Sequence, residues 1–179
     1  NPFITTLGMM IFIRGLATIV SGGNNIPIMN DAYKWIGQAS LAGVQVPIWI
    51  CLFFIAAGDF LLRKSRYFRQ NYYLGGNENA AILSGIPVSR IKIQNYILSG
   101  CLAAVAGILL SARLGNGSLT AGINMEFKAV TAAIIGGCAL TGGKGTVLGA
   151  FFGAMLMATI DTAINIMPVD FHFDYKGLQ

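Results

Sequence analysis

The 179 residues are 55% hydrophobic and 11% charged, with a mean hydropathy of +0.65 and a formal net charge of +5. A soluble domain carries about 25% charged residues, so a chain this apolar cannot cover itself with polar surface, and lipid is the better solvent for much of it. Three isolated cysteines (Cys51, Cys101, Cys138) and one histidine exclude a disulfide scaffold and a clustered metal centre, and no nucleic-acid partner is expected.

A membrane-spanning helix needs about 20 mostly apolar residues. The first such run extends from about Phe3 to Val20, interrupted only by Arg14. Ser21-Gly22-Gly23-Asn24-Asn25 breaks it and opens a polar loop carrying Asp31, Lys34 and Trp35. A second run covers about Val46 to Leu62, with Pro47 in the first turn, where proline is tolerated. A third covers about Ile93 to Ala112, and the last about Val147 to Met167. Between these two, Phe127 to Leu140 is short for a crossing, so it is either a tilted short span or a re-entrant element. The expected fold is all-α: a polytopic transmembrane helical bundle with about four to five membrane segments, residues 1–179 forming part of one transmembrane domain.

Basic residues orient the chain. Arg63, Lys64, Arg66, Arg69, Arg90 and Lys92 stand against a single acid, Glu78, between the second and third spans. Positive charge marks the cytoplasmic side, which makes 63–92 a cytoplasmic loop and 24–45 an external one. If Phe127–Leu140 crosses, Lys144 is cytoplasmic and Asp170 and Asp174 are outside, in agreement with the same rule. A re-entrant segment would reverse both.

Small residues recur at the four-residue spacing that lets membrane helices touch. Ser99, Ala103, Gly107 and Ser111 do so on the third span, and Gly145, Gly149 and Gly153 on the last. Charges inside spans are functional suspects because burying them in lipid is costly. Asp59 lies one turn before Arg63, so an intrahelical pair accounts for it. Arg14 and Asp161 either pair with each other, line a solute route, or make a structural polar contact. Asn165 shares a helical face with Asp161, and with Thr159 and Thr162 it offers hydrogen bonds to a hydroxyl-rich solute.

Thr141-Gly142-Gly143-Lys144-Gly145-Thr146 lacks the form of a phosphate-binding loop, since Gly145 separates Lys144 from Thr146 and no strand precedes it. A tight glycine turn is expected there. His172, among Asp170, Phe171, Phe173 and Asp174, has too few convergent ligands for a metal. No catalytic cluster converges anywhere, which argues against a membrane-embedded enzyme.

Residues Gly75 to Pro87 carry the most local information. Asn77 is a good N-cap, Glu78 puts negative charge in the first helical turn, Ala80-Ala81-Ile82-Leu83 form a body, and Gly85 followed by Pro87 stops it. A two-turn helix is not stable alone, so it needs a partner surface, for which Ile82, Leu83 and Ile86 offer an apolar edge.

The run Gly75-Gly76-Asn77-Glu78, with Ala80-Ala81, Ser84-Gly85-Ile86 and Tyr96-Ile97-Leu98-Ser99-Gly100, resembles the ribose-type branch of ABC sugar importer permeases. So do Thr6-Leu7-Gly8-Met9, Arg14-Gly15-Leu16, Ala106-Gly107-Ile108, Ala112-Arg113-Leu114-Gly115, Gly136-Gly137 and Leu140-Thr141-Gly142-Gly143, in order along nearly the whole chain. Tyr67-Phe68-Arg69 departs from the family's aromatic-glycine-basic pattern. Against the family, the chain reads as a fragment of the C-terminal half, ending before the closing helix.

The resemblance implies a bacterial inner-membrane, multi-pass permease subunit moving a monosaccharide-like solute inward. Its expected partners are ABC ATPase subunits, which bind the ATP, an external solute-binding protein, and a second permease copy or paralogue. No cofactor is expected on this chain. By the same resemblance Gly75, Gly76, Asn77, Glu78, Asn79, Ala80, Ala81, Ile82, Leu83, Ser84 and Gly85 form the coupling helix that docks on the ATPase. Arg14, Asp161 and Asn165 are the candidate solute-path residues. The rival reading, resting on Arg14 and Asp161, is a channel or ion-driven carrier without an ATPase.

Overall fold

The structure, a computed structural model, describes residues 2–166. Helix α1 (Pro2–Ser21) ends in a turn through Gly22 and Gly23, both at positive φ. Strand β1 (Ile26–Pro27), helix α2 (Asp31–Gln38) and the hairpin of β2 (Ser40–Leu41) and β3 (Val44–Gln45) follow. Ala42 and Gly43, at φ 53° and 79°, make the two-residue turn of that hairpin. Helix α3 (Val46–Lys64) has proline at its N-terminal turn, and α4 (Arg66–Gly76) leaves it through an extended Ser65 (φ −82°, ψ 121°). Then come α5 (Glu78–Leu83), the long α6 (Val88–Leu114), β4 (Asn116–Gly117), α7 (Met125–Ile135) and α8 (Val147–Ile166).

Helices α1, α3, α6 and α8 are long and apolar enough to cross a membrane, as the hydropathy runs predict. The chain is an all-α polytopic membrane fold. Its largest apolar side chains point outward along all four, among them Phe12, Phe53, Ile97 and Phe152. Lipid, or other polypeptide, is the medium that covers them. Helix α6 begins at Val88, not near Ile93, because Arg90 and Lys92 extend the helix beyond its apolar stretch. At 27 residues it rises about 40 Å, longer than a hydrocarbon core of about 30 Å. The run expected to end at Met167 is helical to Ile166; Met167, Asp170, His172 and Asp174 lie outside the described residues.

Two polar stretches are helices, not loops. In α2, Asn30 Oδ1 caps the N-terminus by accepting from Ala32 N and Tyr33 N, and the helix lies against the far end of α6. Tyr33 Oη is 2.6 Å from Ser111 Oγ, and Gln38 donates to the Arg113 carbonyl. The backbones of Gly37 and Ala112 come so close that a Cβ on Gly37 would meet Ala112 Cβ at 2.8 Å. Strand β1 pairs antiparallel with β4, tying this layer to the chain after α6.

The stretch from Phe127 to Leu140 is helical only to Ile135, where Gly136 and Gly137 end it. At 11 residues α7 rises about 16 Å, half a crossing. It packs antiparallel on α8 at van der Waals limits: a Cβ on Gly136 would lie 2.7 Å from Ala150 Cα, and one on Gly153 would lie 2.8 Å from Gly136 N and against the Ala132 carbonyl. The small-residue spacing of Gly149 and Gly153 is therefore a real helix contact. On α6 the spacing is used only in part, since Ser111 meets Tyr33 of α2 while Gly107 has open space around it.

The turn 136–146 lies at the basic end of the bundle. It meets α4, not α2: Tyr72 Oη donates to the Gly145 carbonyl at 2.8 Å, and Gly142 and Gly143 abut Gly75. The path from Leu114 to Gly136 thus runs from the α2 end of the bundle to the basic end, with helix over its second part only. Lys144 joins the other basic residues, as the crossing alternative predicts.

Candidate functional site

At the basic end, α4, α5 and the start of α6 meet around a small apolar centre of Ala81, Val88 and Ile91, which are 3%, 9% and 1% exposed. Helix α5 is held by local chemistry at both ends. Asn77, in extended backbone, accepts from Ala80 N through Oδ1 at 3.0 Å. Ser84 Oγ donates to the Ala80 carbonyl at 2.8 Å. Gly85, at φ 77°, lets its N–H reach the Ile82 carbonyl and the Ile86 N–H reach that of Ala81. That pair of bonds is a Schellman stop.

Six residues of helix would not persist without tertiary support. Ala81 supplies it by burial, and Glu78 by an ion pair with Lys92 of α6 (2.6 Å). The opposite edge is free: Ile82 is 54% and Leu83 89% exposed, while Ile86 is half-buried. Beside it Tyr73, Asn77, Ala80, Ser84 and Ile86 line a groove of about 300 Å³. Ile82 and Leu83 thus form an exposed apolar edge on a capped helix beside this groove.

The base of α5 is fixed to the rest of the bundle through glycine. A Cβ on Gly75 would collide with Gly143 N and lie 2.6 Å from Gly142 C, and one on Gly143 would lie 2.8 Å from Gly76 N. Gly142 and Gly143 are at φ 85° and 78°, and Gly145 at 150°. The tempting Thr141–Thr146 motif is thus a glycine turn shaped to let α4 approach. Its Thr146 Oγ1 accepts from Gly149 N and caps α8.

Of the residues flagged inside the spans, Asp59 pairs with Arg63 at 2.8 Å as the spacing predicts. Asp161 does not pair with Arg14. Its partner is Lys128 of α7, a residue the sequence reading passed over because it falls in an apolar run and lies 33 positions away. Arg14 is half-buried on α1 and makes no ion pair among the described residues. Thr159 and Thr162 donate to the Leu156 and Ala158 carbonyls of their own helix, and Asn165 is exposed. No ion pair or hydrogen bond joins Arg14, Asp161 and Asn165 to one another among the described residues. Among the described residues no group of three or more His, Cys, Asp or Glu side chains is placed to hold a metal ion.

Comparison with known proteins follows the same lines. The L-arabinose transport system permease of Escherichia coli (strain K12) is 36% identical over 169 residues, 94% of this chain and 52% of the relative. The ribose import permeases of E. coli (strain K12) and Bacillus subtilis (strain 168) are each 37% identical, over 97% and 94% of the chain and 55% and 53% of their own lengths. The chain spans about half the length of the curated relatives it matches. No solved structure matches it. The family described as the branched-chain amino acid transport system permease component matches residues 1–175, and this membrane chain belongs to that family.

Proposed function

We propose that the chain forms part of the transmembrane permease subunit of a bacterial ABC importer in the inner membrane, moving a monosaccharide inward. ATP is bound and hydrolysed by a partner ATPase, and the chain itself does no covalent chemistry. The basic end faces the cytoplasm, residues 63–92 form the loop there, and α5 with its flanks, Gly75 to Gly85, is the coupling element. An external solute-binding protein meets the α2 end, and a second permease copy or paralogue completes the path. The observation that carries this reading is α5 itself, a helix capped at both ends that buries Ala81 and presents Ile82 and Leu83 outward. The names of the relatives, arabinose and ribose permeases, support the solute class.

Coupling needs the partner to favour inward- and outward-facing states unequally. A rigid α5, backed by the Gly75–Gly143 contact, would pass that bias to the α7–α8 hairpin. Of the two charges on which an ion-driven carrier would rest, Asp161 is neutralised by Lys128.

The test uses the full-length permease with its ATPase. A cysteine at Ala80 should crosslink to the ATPase, and Leu83→Glu should abolish uptake while leaving the permease in the membrane. Absence of crosslinks throughout Asn77–Gly85, with uptake independent of ATP, would move the carrier to first place.

A further inference from the structure

A second cavity lies at the basic end, sharing Tyr73 with the groove beside α5. The last turns of α3, the body of α4 and the start of α8 border an open cleft of about 590 Å³. Its polar lining is Asp59, Arg63, Arg69, Tyr72, Tyr73 and Thr146, and its apolar lining Leu62 and Val147.

The charge in this cavity is unbalanced by one. Asp59 is taken by Arg63 at 2.8 Å. Arg69 makes no ion pair among the described residues. Tyr72 spends its hydroxyl proton on Gly145, but the Tyr73 hydroxyl has no partner among the described residues. A guanidinium and a phenol side by side supply charge and directed donors to one oxyanion.

Position says which oxyanion. Helix α3 is 19 residues long, so its last turn falls at the edge of the hydrocarbon core, where tyrosines and arginines favour the headgroup level. Next to Leu62 and Val147 in the chain, Phe60 and Leu61 of α3 and Leu148 of α8 are exposed, so an occupant with an anionic head finds apolar surface nearby for its tail. A single surplus cation matches a phosphodiester monoanion better than a free phosphate dianion. Basic pockets between membrane helices on the cytoplasmic side suit lipid headgroups.

We propose that this cavity binds the headgroup phosphate of an anionic phospholipid, with Arg69 as its counter-ion and Tyr73 as a hydrogen-bond donor. The lipid would wedge the elbow at Ser65 between α3 and α4. The site does not depend on the solute or on ATP coupling, so it stands or falls apart from the import reading.

The experiment is native mass spectrometry of the full-length permease, released from detergent with phosphatidylglycerol or phosphatidylethanolamine added. One phosphatidylglycerol should remain bound in preference to phosphatidylethanolamine. Arg69→Gln should weaken its retention about fivefold, the worth of one surface cation. Arg69→Lys should keep most of it, and Arg90→Gln, outside the cavity, should change nothing. A photoreactive phosphatidylglycerol should label the peptide holding Tyr72 and Tyr73 in the unmodified protein, a readout that needs no variant to fold. Equal retention of both lipids, equal loss in the Arg69→Gln and Arg90→Gln proteins, or labelling elsewhere overturns the proposal. Displacement by millimolar inorganic phosphate, with no lipid preference, would overturn it in favour of a free phosphate.

Discussion

Gly75→Ala isolates the contact between α4 and the glycine turn. The added methyl would sit 2.6 Å from Gly142 C and 2.8 Å from Gly142 Cα, and against Gly143 N. All three are backbone atoms, so no side chain can swing aside; α4 or the turn must move. Overpacking of this kind costs about 1–3 kcal/mol. The gain from replacing glycine in a helix is roughly 0.5–1 kcal/mol, which offsets only part of it. A net loss of about 1 kcal/mol lowers the folded-to-unfolded ratio roughly fivefold. Gly76→Ala provides the matched control, since a Cβ there has nothing within 4 Å. Thermal unfolding of the two full-length proteins in one detergent, followed by ATP-driven uptake in vesicles, measures both consequences. The Gly75 protein should melt lower and transport less, while the Gly76 protein should match the parent. Equal melting of both variants would refute the close approach of α4 and the turn, and with it the route from α5 to α8.

Lys128 and Asp161 should behave as a pair. Lys128→Met or Asp161→Asn alone leaves one charge without its partner, and the double variant should recover stability, with a coupling on the order of 1 kcal/mol by thermal double-mutant cycle. Normal uptake by Asp161→Asn would remove that carboxylate from the solute path. Asn77→Ala deletes the cap on α5 and should cost about 1 kcal/mol; the readout is faster amide exchange at Ala80, whose N–H loses its acceptor.

What could be read ahead of the structure was mostly short-range. Asn77, Glu78 and Gly85 announce α5 because a cap and a left-handed stop act within a few residues. Asp59 and Arg63 are one helical turn apart and need no tertiary information. The four long spans follow from hydropathy. Helices α2 and α4 escaped because they are too short and polar for a hydropathy window; the aromatic and basic alternation in Arg66–Leu74 was the available signal. Phe127–Leu140 looked like one apolar unit, yet Gly136 and Gly137 cut it, and Leu140 is exposed past the cut. The approach of Gly75 to Gly143 and the Lys128–Asp161 pair were not legible. Each joins residues from different elements, and glycine or a lone lysine in a run carries no mark of its partner.

The half-length of α7 sorts the faces of the bundle. Hydrocarbon offers a peptide group nothing to bond with, so non-helical backbone at membrane depth survives only against protein or water. The approach to α7 is such a segment: the N–H groups of Ala121, Gly122 and Asn124 find no acceptor among the described residues. That flank is barred to acyl chains, whatever surrounds the remaining helices. It is a side that water or further polypeptide has to cover.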